Sequence, residues 1–324
     1  MAGHSKRKDL SLKWLELFQI CAQKGSLQAA SQETGLTVST ISHHLRSLEE
    51  HLGVELFNHS RRPMVLTPKG RVFLRKIEDA LYAIRRAKAE VSAGSLAEAS
   101  YLRLGTIEDF DSDIVPELAV HLSKSMPRCD FNFHTDSSHA IIEMLQDRQL
   151  DLGLTSNPAE RIRDLLEKPL LRDPFVVVLP RNAEFSLADI VEGKSKLPLL
   201  RFSANLIIAR QIESQLRRIG VAAPHWFECT NNQTLMAMVA SGSGWAISTP
   251  LLYARARRFH GQTRMHKFPG KAFSRTISIV STPDCSRSAV DLIDQKLRTL
   301  ITEHALKPLH KKEPWLKESY RLVE

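Results

Sequence analysis

The 324 residues hold only four cysteines, Cys21, Cys129, Cys229 and Cys285, and no Cys-x-x-Cys pair joins any two of them. That scatter excludes a disulfide framework and a thiolate zinc site. It leaves reduced, mostly buried thiols, with a redox-sensing pair as the alternative. No apolar run is long enough to span a bilayer, and Met-Ala-Gly-His-Ser-Lys-Arg-Lys at the start has no hydrophobic signal region behind it. The expected location is therefore the cytoplasm, with no membrane partner. The chain also lacks a Gly-x-Ser-x-Gly turn, a glycine-rich phosphate loop and a His-Glu-x-x-His pair, so catalysis finds little support and no cofactor is expected. His43 and His44 are adjacent, so on a helix they point about 100° apart and cannot chelate one ion together. His134 and His139 can approach across a strand-to-helix turn, but exposed or satisfied histidines are the commoner outcome, and no metal is expected.

What is present begins with a composition of 43% hydrophobic and 25% charged residues, which is that of a globular chain long enough for two cores. The net charge of +9 is uneven: residues 1–93 carry 15 Lys+Arg against 9 Asp+Glu. A cationic N-terminal third points to phosphate as a partner. Lys6, Arg7 and Lys8 read as a solvated tail, or alternatively as a DNA-contacting arm.

Residues 26–49 read as two short helices on a tight turn. Ser26 caps the first, which packs through Leu27, Ala30 and Ser31; Gly35 supplies the turn and Thr37 caps the second. On the second, Ile41, Leu45 and Leu48 share a face at spacings of four and three and must be buried. The opposite face carries Ser39, Thr40, Ser42, His43, His44 and Arg46. Short hydroxyls and flat donor rings suit base edges and phosphates in a major groove, and no carboxylate interrupts them before Glu49. An ordinary surface helix with a polar face is the alternative.

The register of Ser26, Ala30, Thr37, Ser42, Leu48-Glu49, Leu52-Gly53, Leu56-Phe57, Arg62 and Leu66-Thr67-x-x-Gly70 resembles the N-terminal domain of LysR-type transcriptional regulators. Leu104-Gly105 followed by Pro116, then Leu150-Asp151-Leu152-Gly153, then Gly242-Ser-Gly244-Trp-Ala246, resemble landmarks of that family's effector domain. The chain departs from common family residues at Val38 and His43 in the reading helix and at His59, departures that bear on base contacts and not on the fold. The resemblance implies an all-α winged helix-turn-helix domain plus long linker helix, joined to an α/β two-lobed periplasmic-binding-protein-like domain. It also implies a homodimer or homotetramer on operator or promoter double-stranded DNA, a small-molecule effector, and RNA polymerase as a further partner.

In that frame residues 10–67 form the DNA-binding domain, 68–92 a linker helix, 93–100 a hinge, 101–304 the effector domain and 305–324 an unassigned charged tail. Lobe I takes about 101–170 and 272–304, and lobe II about 171–271. The expected DNA-contacting set is Leu27, Thr37, Ser39, Thr40, Ser42, His43, His44 and Arg46, with Arg61 and Arg62 on a hairpin wing gripping phosphates. Thr67-Pro68 starts the linker helix. Along it Phe73, Ile77, Ala80, Ile84, Ala87 and Val91 repeat at four and three, a seam expected to pair with a second copy, or alternatively to pack on its own domain.

Beyond residue 100 strand and helix patterns alternate, so two α/β lobes of mostly parallel sheet are expected, with ligand at the carboxyl ends of the strands between them. Four segments should converge there: Ile107, Glu108, Asp109, Phe110 and Asp111; Ser137 and Ser138; Phe202 and Ser203; and Thr230, Asn231 and Asn232. Helix starts with hydroxyls suit a carboxylate, whereas Glu108, Asp109, Asp111 and Asp113 crowd one loop and would repel a pure anion. With Phe110 and Phe202 as ring faces, a cationic or zwitterionic effector is expected. The alternative is that Asp111 or Asp113 caps the next helix and the other acids face water. Two further readings stay open at this point: an enzyme carrying a DNA-binding domain, and a non-specific nucleoid-type protein.

Overall fold

Trp14, Leu15, Phe18 and Cys21 fall on one side of a helix, α1 (Leu12–Lys24), and all are buried. In the computed structural model the described residues are 9–58, 64–91, 101–156, 164–183, 189–190, 197–221, 227–269 and 272–324. They divide into two compact units, Met1–Gly94 and Ser95–Glu324.

In the first unit α1 supports α2 (Leu27–Thr34) and α3 (Val38–Leu52). Ser26 and Thr37 accept backbone N–H bonds from Ala29 and Thr40, as the capping pattern requires. Gly35, at φ 69°, takes the left-handed turn between the helices, a conformation in which a side chain is strained. A two-stranded hairpin follows, β1 (Phe57–Asn58) with β2 (Val65–Leu66). Glu49 fastens it to α3, one carboxylate oxygen accepting the N–H groups of Leu56 at 2.7 Å and Phe57 at 3.1 Å. Helix α4 (Pro68–Val91) then starts with Thr67 Oγ1 accepting from Gly70 N–H. A Cβ on Gly70 would lie 2.1 Å from the Leu56 carbonyl oxygen, so only glycine lets α4 cross there. Arg61 and Arg62, at the expected wing tip, and the hinge 93–100 lie outside the described residues.

The second unit holds two mixed sheets. In lobe I, β3 (Tyr101–Thr106), α5 (Ile114–Ser125), β4 (Asp130–Thr135), α6 (Ser138–Gln146) and β5 (Leu152–Ser156) are a parallel run. Strands β6 (Leu166–Pro174) and β12 (Ser274–Ser281) join them antiparallel. In lobe II the order is β11 (Thr263–Lys267), β7 (Val176–Pro180), β10 (Trp245–Ser248), β8 (Leu199–Phe202) and β9 (Glu228–Cys229). Around this sheet lie α7 (Ile207–Arg218), α8 (Asn232–Ala240) and α9 (Pro250–Arg255). The expected mostly parallel sheet is corrected: among the described residues the strands that carry the chain between lobes, β6 to β7 and β11 to β12, all pair antiparallel with at least one neighbour. Only Phe175 separates β6 from β7. Its ring stacks on Phe273 at 4.2 Å, and its N–H donates to the Phe273 carbonyl, so the outgoing and returning crossings are pinned together.

The tail left unassigned by sequence is part of lobe I. Helix α10 (Arg287–Ile301) runs through a wider turn into α11 (Lys307–Lys312), and β13 (Arg321–Leu322) pairs with β6, covering the sheet edge. Leu316 and Tyr320 of this tail are fully buried.

Candidate functional site

On α3 the sequence pattern resolves into two faces. Ile41, Leu45 and Leu48 are at most 3% exposed, while Thr37, Ser39, His43 and Arg46 are exposed and Thr40, Ser42 and His44 half-buried. Thr37 Oγ1 lies 2.9 Å from Ser39 Oγ and 2.8 Å from Thr40 Oγ1, a hydroxyl cluster at the helix start. That cluster sits where the helix dipole and free N–H groups also attract phosphate. Partial burial pulls the His44 pKa below its ordinary value, with Lys13 and His43 adding to the effect. A neutral imidazole can both donate and accept. Leu27 is half-buried against the core of its own unit, as the expected packing of the first helix requires.

The α4 seam divides. Ile77 is 5% exposed and packs, with Phe73, on its own core, so these two positions follow the alternative reading rather than the expected pairing. Ala80, Ile84 and Ala87 are exposed, and Val72, 53% exposed, joins them on the adjoining stripe. The side chain of Val91 lies outside the described residues.

Between the lobes of the second unit lies a cavity of about 370 Å³. Ile107, Glu108, Asp109, Ser137, Ser138, Phe202 and Thr230 line it, as expected from strand ends and helix starts. Phe110, Asp111, Ser203, Asn231 and Asn232 do not. Phe110 is 1% exposed because a single helical turn, Glu108–Phe110, rolls its ring into the core. Ser203 closes a turn, its carbonyl accepting from Leu206 N–H. Sequence reading missed Thr135, Asp136, Ser156, the Asn205–Ile208 stretch, Leu252 and Arg275.

The four crowded acids are paired rather than free. Arg275, on the returning strand and 4% exposed, bridges Asp109 and Asp173, and also donates to Thr249 Oγ1 at 3.1 Å. Burial pulls its pKa down, but the two carboxylates outweigh that and hold the guanidinium above its ordinary value. Asp173, fully buried, is pushed up by burial even against the Arg275 charge. Asp111 accepts from Thr135 at 3.0 Å and Thr106 at 3.4 Å, and burial raises its pKa. Asp113 pairs with Arg257 at 3.2 Å and makes no side-chain capping bond to α5. Glu108 accepts from Asn231 and Asn232 and faces Arg255. The expected free cation-binding role of Asp109 and Asp111, and the alternative that Asp111 or Asp113 caps the helix, both give way to these pairings.

What remains open on the cavity wall has two characters. Ser137 Oγ accepts from Ala140 N–H at the α6 start, and α7 begins at Leu206 without a side-chain cap. The Ser156 hydroxyl, 2% exposed, has no hydrogen-bond partner among the described residues. Asp136, by contrast, presents a side chain 46% exposed, 3.5 Å from His134. His139 pairs instead with Glu143 at 3.4 Å, and no group of three metal-ligating side chains is found among the described residues. All four cysteines are free thiols. No helix among the described residues is long and apolar enough to cross a membrane.

Residues 12–71 match the family model described as bacterial regulatory helix-turn-helix protein, lysR family, and residues 97–300 match that of the LysR substrate binding domain. The chain is 26% identical over 251 residues to the HTH-type transcriptional regulator BsdA of Bacillus subtilis, covering 74% of this chain and 83% of that one. Among solved structures, a Corynebacterium glutamicum OxyR C206 mutant shares the fold with TM-score 0.65 at 20% identity, covering 92% of this chain and 95% of that one. Full-length CbnR in complex with its target DNA matches with TM-score 0.56 at 16% identity, covering 90% and 99% respectively.

Proposed function

The chain belongs to the LysR family of transcriptional regulators, and from that premise we propose that it reads an operator through α3 as a homodimer or homotetramer and answers to a small molecule in the inter-lobe cavity. The observation that carries the DNA half is the division of α3 into a fully buried apolar face and an exposed face of hydroxyls, imidazoles and Arg46. Ser42 and His43 then read base edges, while Arg46, with Arg61 and Arg62, holds phosphates and fixes register. Gel shifts over operator variants test it. His43→Ala should relax sequence preference, whereas Arg46→Ala should weaken every duplex alike and lower the salt slope by about one. Equal losses on cognate and random DNA from both variants would count against the assignment. The exposed α4 stripe of Val72, Ala80, Ile84 and Ala87 is the proposed contact between copies. RNA polymerase is the proposed further partner at the promoter.

For the effector we propose a zwitterion or cation carrying at most one carboxylate. The carboxylate is suited to the starts of α6 and α7 and to the Ser156 hydroxyl. The positive group is suited to Asp136, whose side chain is 46% exposed at the cavity wall. Phe202 lines the cavity wall and is the aromatic residue proposed to lie beside the ammonium. Calorimetric titration of the full chain with betaine-like, amino-acid and plain carboxylate ligands separates the cases. Heat from plain carboxylates alone contradicts the assignment. The geometry supports no catalytic step, so the proposed role of the cavity is binding.

A further inference from the structure

The start of α8 carries Asn231 and Asn232, two of the expected effector contacts, and a carboxylate is already there. Glu108, from the loop after β3 in lobe I, presents both oxygens to it. Oε1 accepts the Asn232 backbone N–H at 3.0 Å, and Oε2 accepts from Asn231 Nδ2 at 3.0 Å. Arg255 lies 3.4 Å from the same Oε2. The next two N–H groups of the helix, those of Gln233 and Thr234, go to Asn231 Oδ1 at 2.8 and 3.2 Å. Among the described residues the helix start is thus filled, one amide by an acid from the other lobe and two by its own cap.

Two further contacts run the same way across the cleft. Arg255 Nε donates to Ser112 Oγ at 3.0 Å, and Arg257 Nη2 to Asp113 Oδ2 at 3.2 Å. Loop 108–113 of lobe I therefore grips lobe II at α8 and at the end of α9. Glu108 and Thr230 also line the cavity, so this grip forms its edge and not a remote surface.

We propose that Glu108 is a built-in carboxylate ligand that latches the lobes and determines effector specificity by occupying the α8 anion site. A dicarboxylate that directed its second carboxylate to the α8 start would meet Glu108 already there. Two like charges cannot share the site without a large penalty, and Arg255 beside it already contacts Glu108 and Ser112. An effector with one carboxylate meets no such conflict, since the α6 and α7 starts and Ser156 lie elsewhere on the wall. The inference rests on the inter-lobe cavity being an effector site, but its two readouts do not depend on DNA binding or on knowing the effector.

The experiment uses the full chain with Glu108→Ala and the near-isosteric Glu108→Gln. Hydrogen exchange of the Asn232 amide reports the latch directly. Loss of a charge-assisted bond should speed it about tenfold or more in Glu108→Ala, with amides of β3 and β5 unchanged. Thermal melts with succinate report exclusion: Glu108→Ala should show a larger rise in melting temperature than the wild type. Glu108→Gln should fall between the two on both readouts and serves if the alanine variant does not fold. An unchanged Asn232 amide overturns the latch. A wild type that binds succinate as well as the variants do, or variants that gain nothing, overturns the specificity role. A wild type that binds betaine but not succinate, with an unchanged operator gel shift, would leave the functional reading standing whatever the Asn232 amide shows.

Discussion

Replacing Arg275 with Met removes one cation from between two carboxylates that have almost no access to water: the Asp173 side chain is 0% exposed and that of Asp109 6%. Breaking a buried ion pair by deleting one partner typically costs about 3–5 kcal/mol, because an uncompensated charge is left behind. For a unit of this size that corresponds to a fall in melting temperature of roughly 6–20 °C. Asp173 already has its pKa raised by burial with Arg275 present, so without Arg275 it should rise further. A raised folded-state carboxyl pKa gives stability that is fully present below the unfolded value and is lost as pH rises through the folded value. The Arg275→Met deficit should therefore be large at pH 8 and shrink as pH falls toward 5. Adding Asp173→Asn to Arg275→Met should recover part of the loss and flatten the pH dependence. Denaturant unfolding of the full chain across that range is the assay. A deficit under about 1 kcal/mol at pH 8, or one that does not change with pH, would refute the reasoning that this trio is a tightly coupled charge cluster.

Ile84→Asp and Ile77→Asp should separate the two faces of α4: the first leaves the helix-turn-helix unit folded but sharply lowers operator affinity, and the second unfolds it by burying a charge in the core. Circular dichroism beside gel shifts reads both, and equal operator affinity for Ile84→Asp and the wild type removes the exposed stripe from the contact between copies. Tyr320→Phe should be neutral or slightly stabilising, because its buried hydroxyl has no hydrogen-bond partner among the described residues, whereas Tyr320→Ala should cost about 3–5 kcal/mol. A large loss in the phenylalanine variant's thermal melt would mean the hydroxyl is bonded. Asp151, pushed up to about 7 by burial, binds its proton more tightly folded than unfolded, so stability should fall as pH rises from about 4 to 7. Asp151→Asn should abolish that component, and an unaltered slope in urea titrations would contradict it.

The helix-turn-helix was legible in the sequence because its determinants are local: caps at Ser26 and Thr37, a left-handed glycine, and an apolar stripe within fifteen residues. Glu49 was visible as part of a pattern, but its task of holding the hairpin was not, since that takes the fold to bring Leu56 and Phe57 within reach. The acids at 108–113 show the limit most clearly. Their number was legible, but the partners of Glu108 and Asp109 lie more than 120 residues away, at Asn231, Asn232 and Arg275. A paired acid and a free one look the same in sequence. Phe110 was read as a ring face because it sits in a polar loop, yet one helical turn is enough to bury it. On α4, Phe73 and Ile77 satisfy both a coiled-coil spacing and a stripe facing the domain core, and the pattern does not say which surface wins. Arg275 left no comparable signal, since the returning strand Ser274–Ser281 holds only three apolar residues among eight. β13, two residues long, pairs with a strand some 150 residues earlier and left no signal.

The central claim is that the exposed face of α3 reads DNA sequence, and selection from a pool of random duplexes by the full-length protein tests it most directly. The account predicts enrichment of one motif with two-fold symmetry, and a changed preference at defined base pairs when the selection is repeated with Ser42→Ala or His43→Ala. A pool that stays random after repeated rounds, or a motif that neither variant alters, would contradict it.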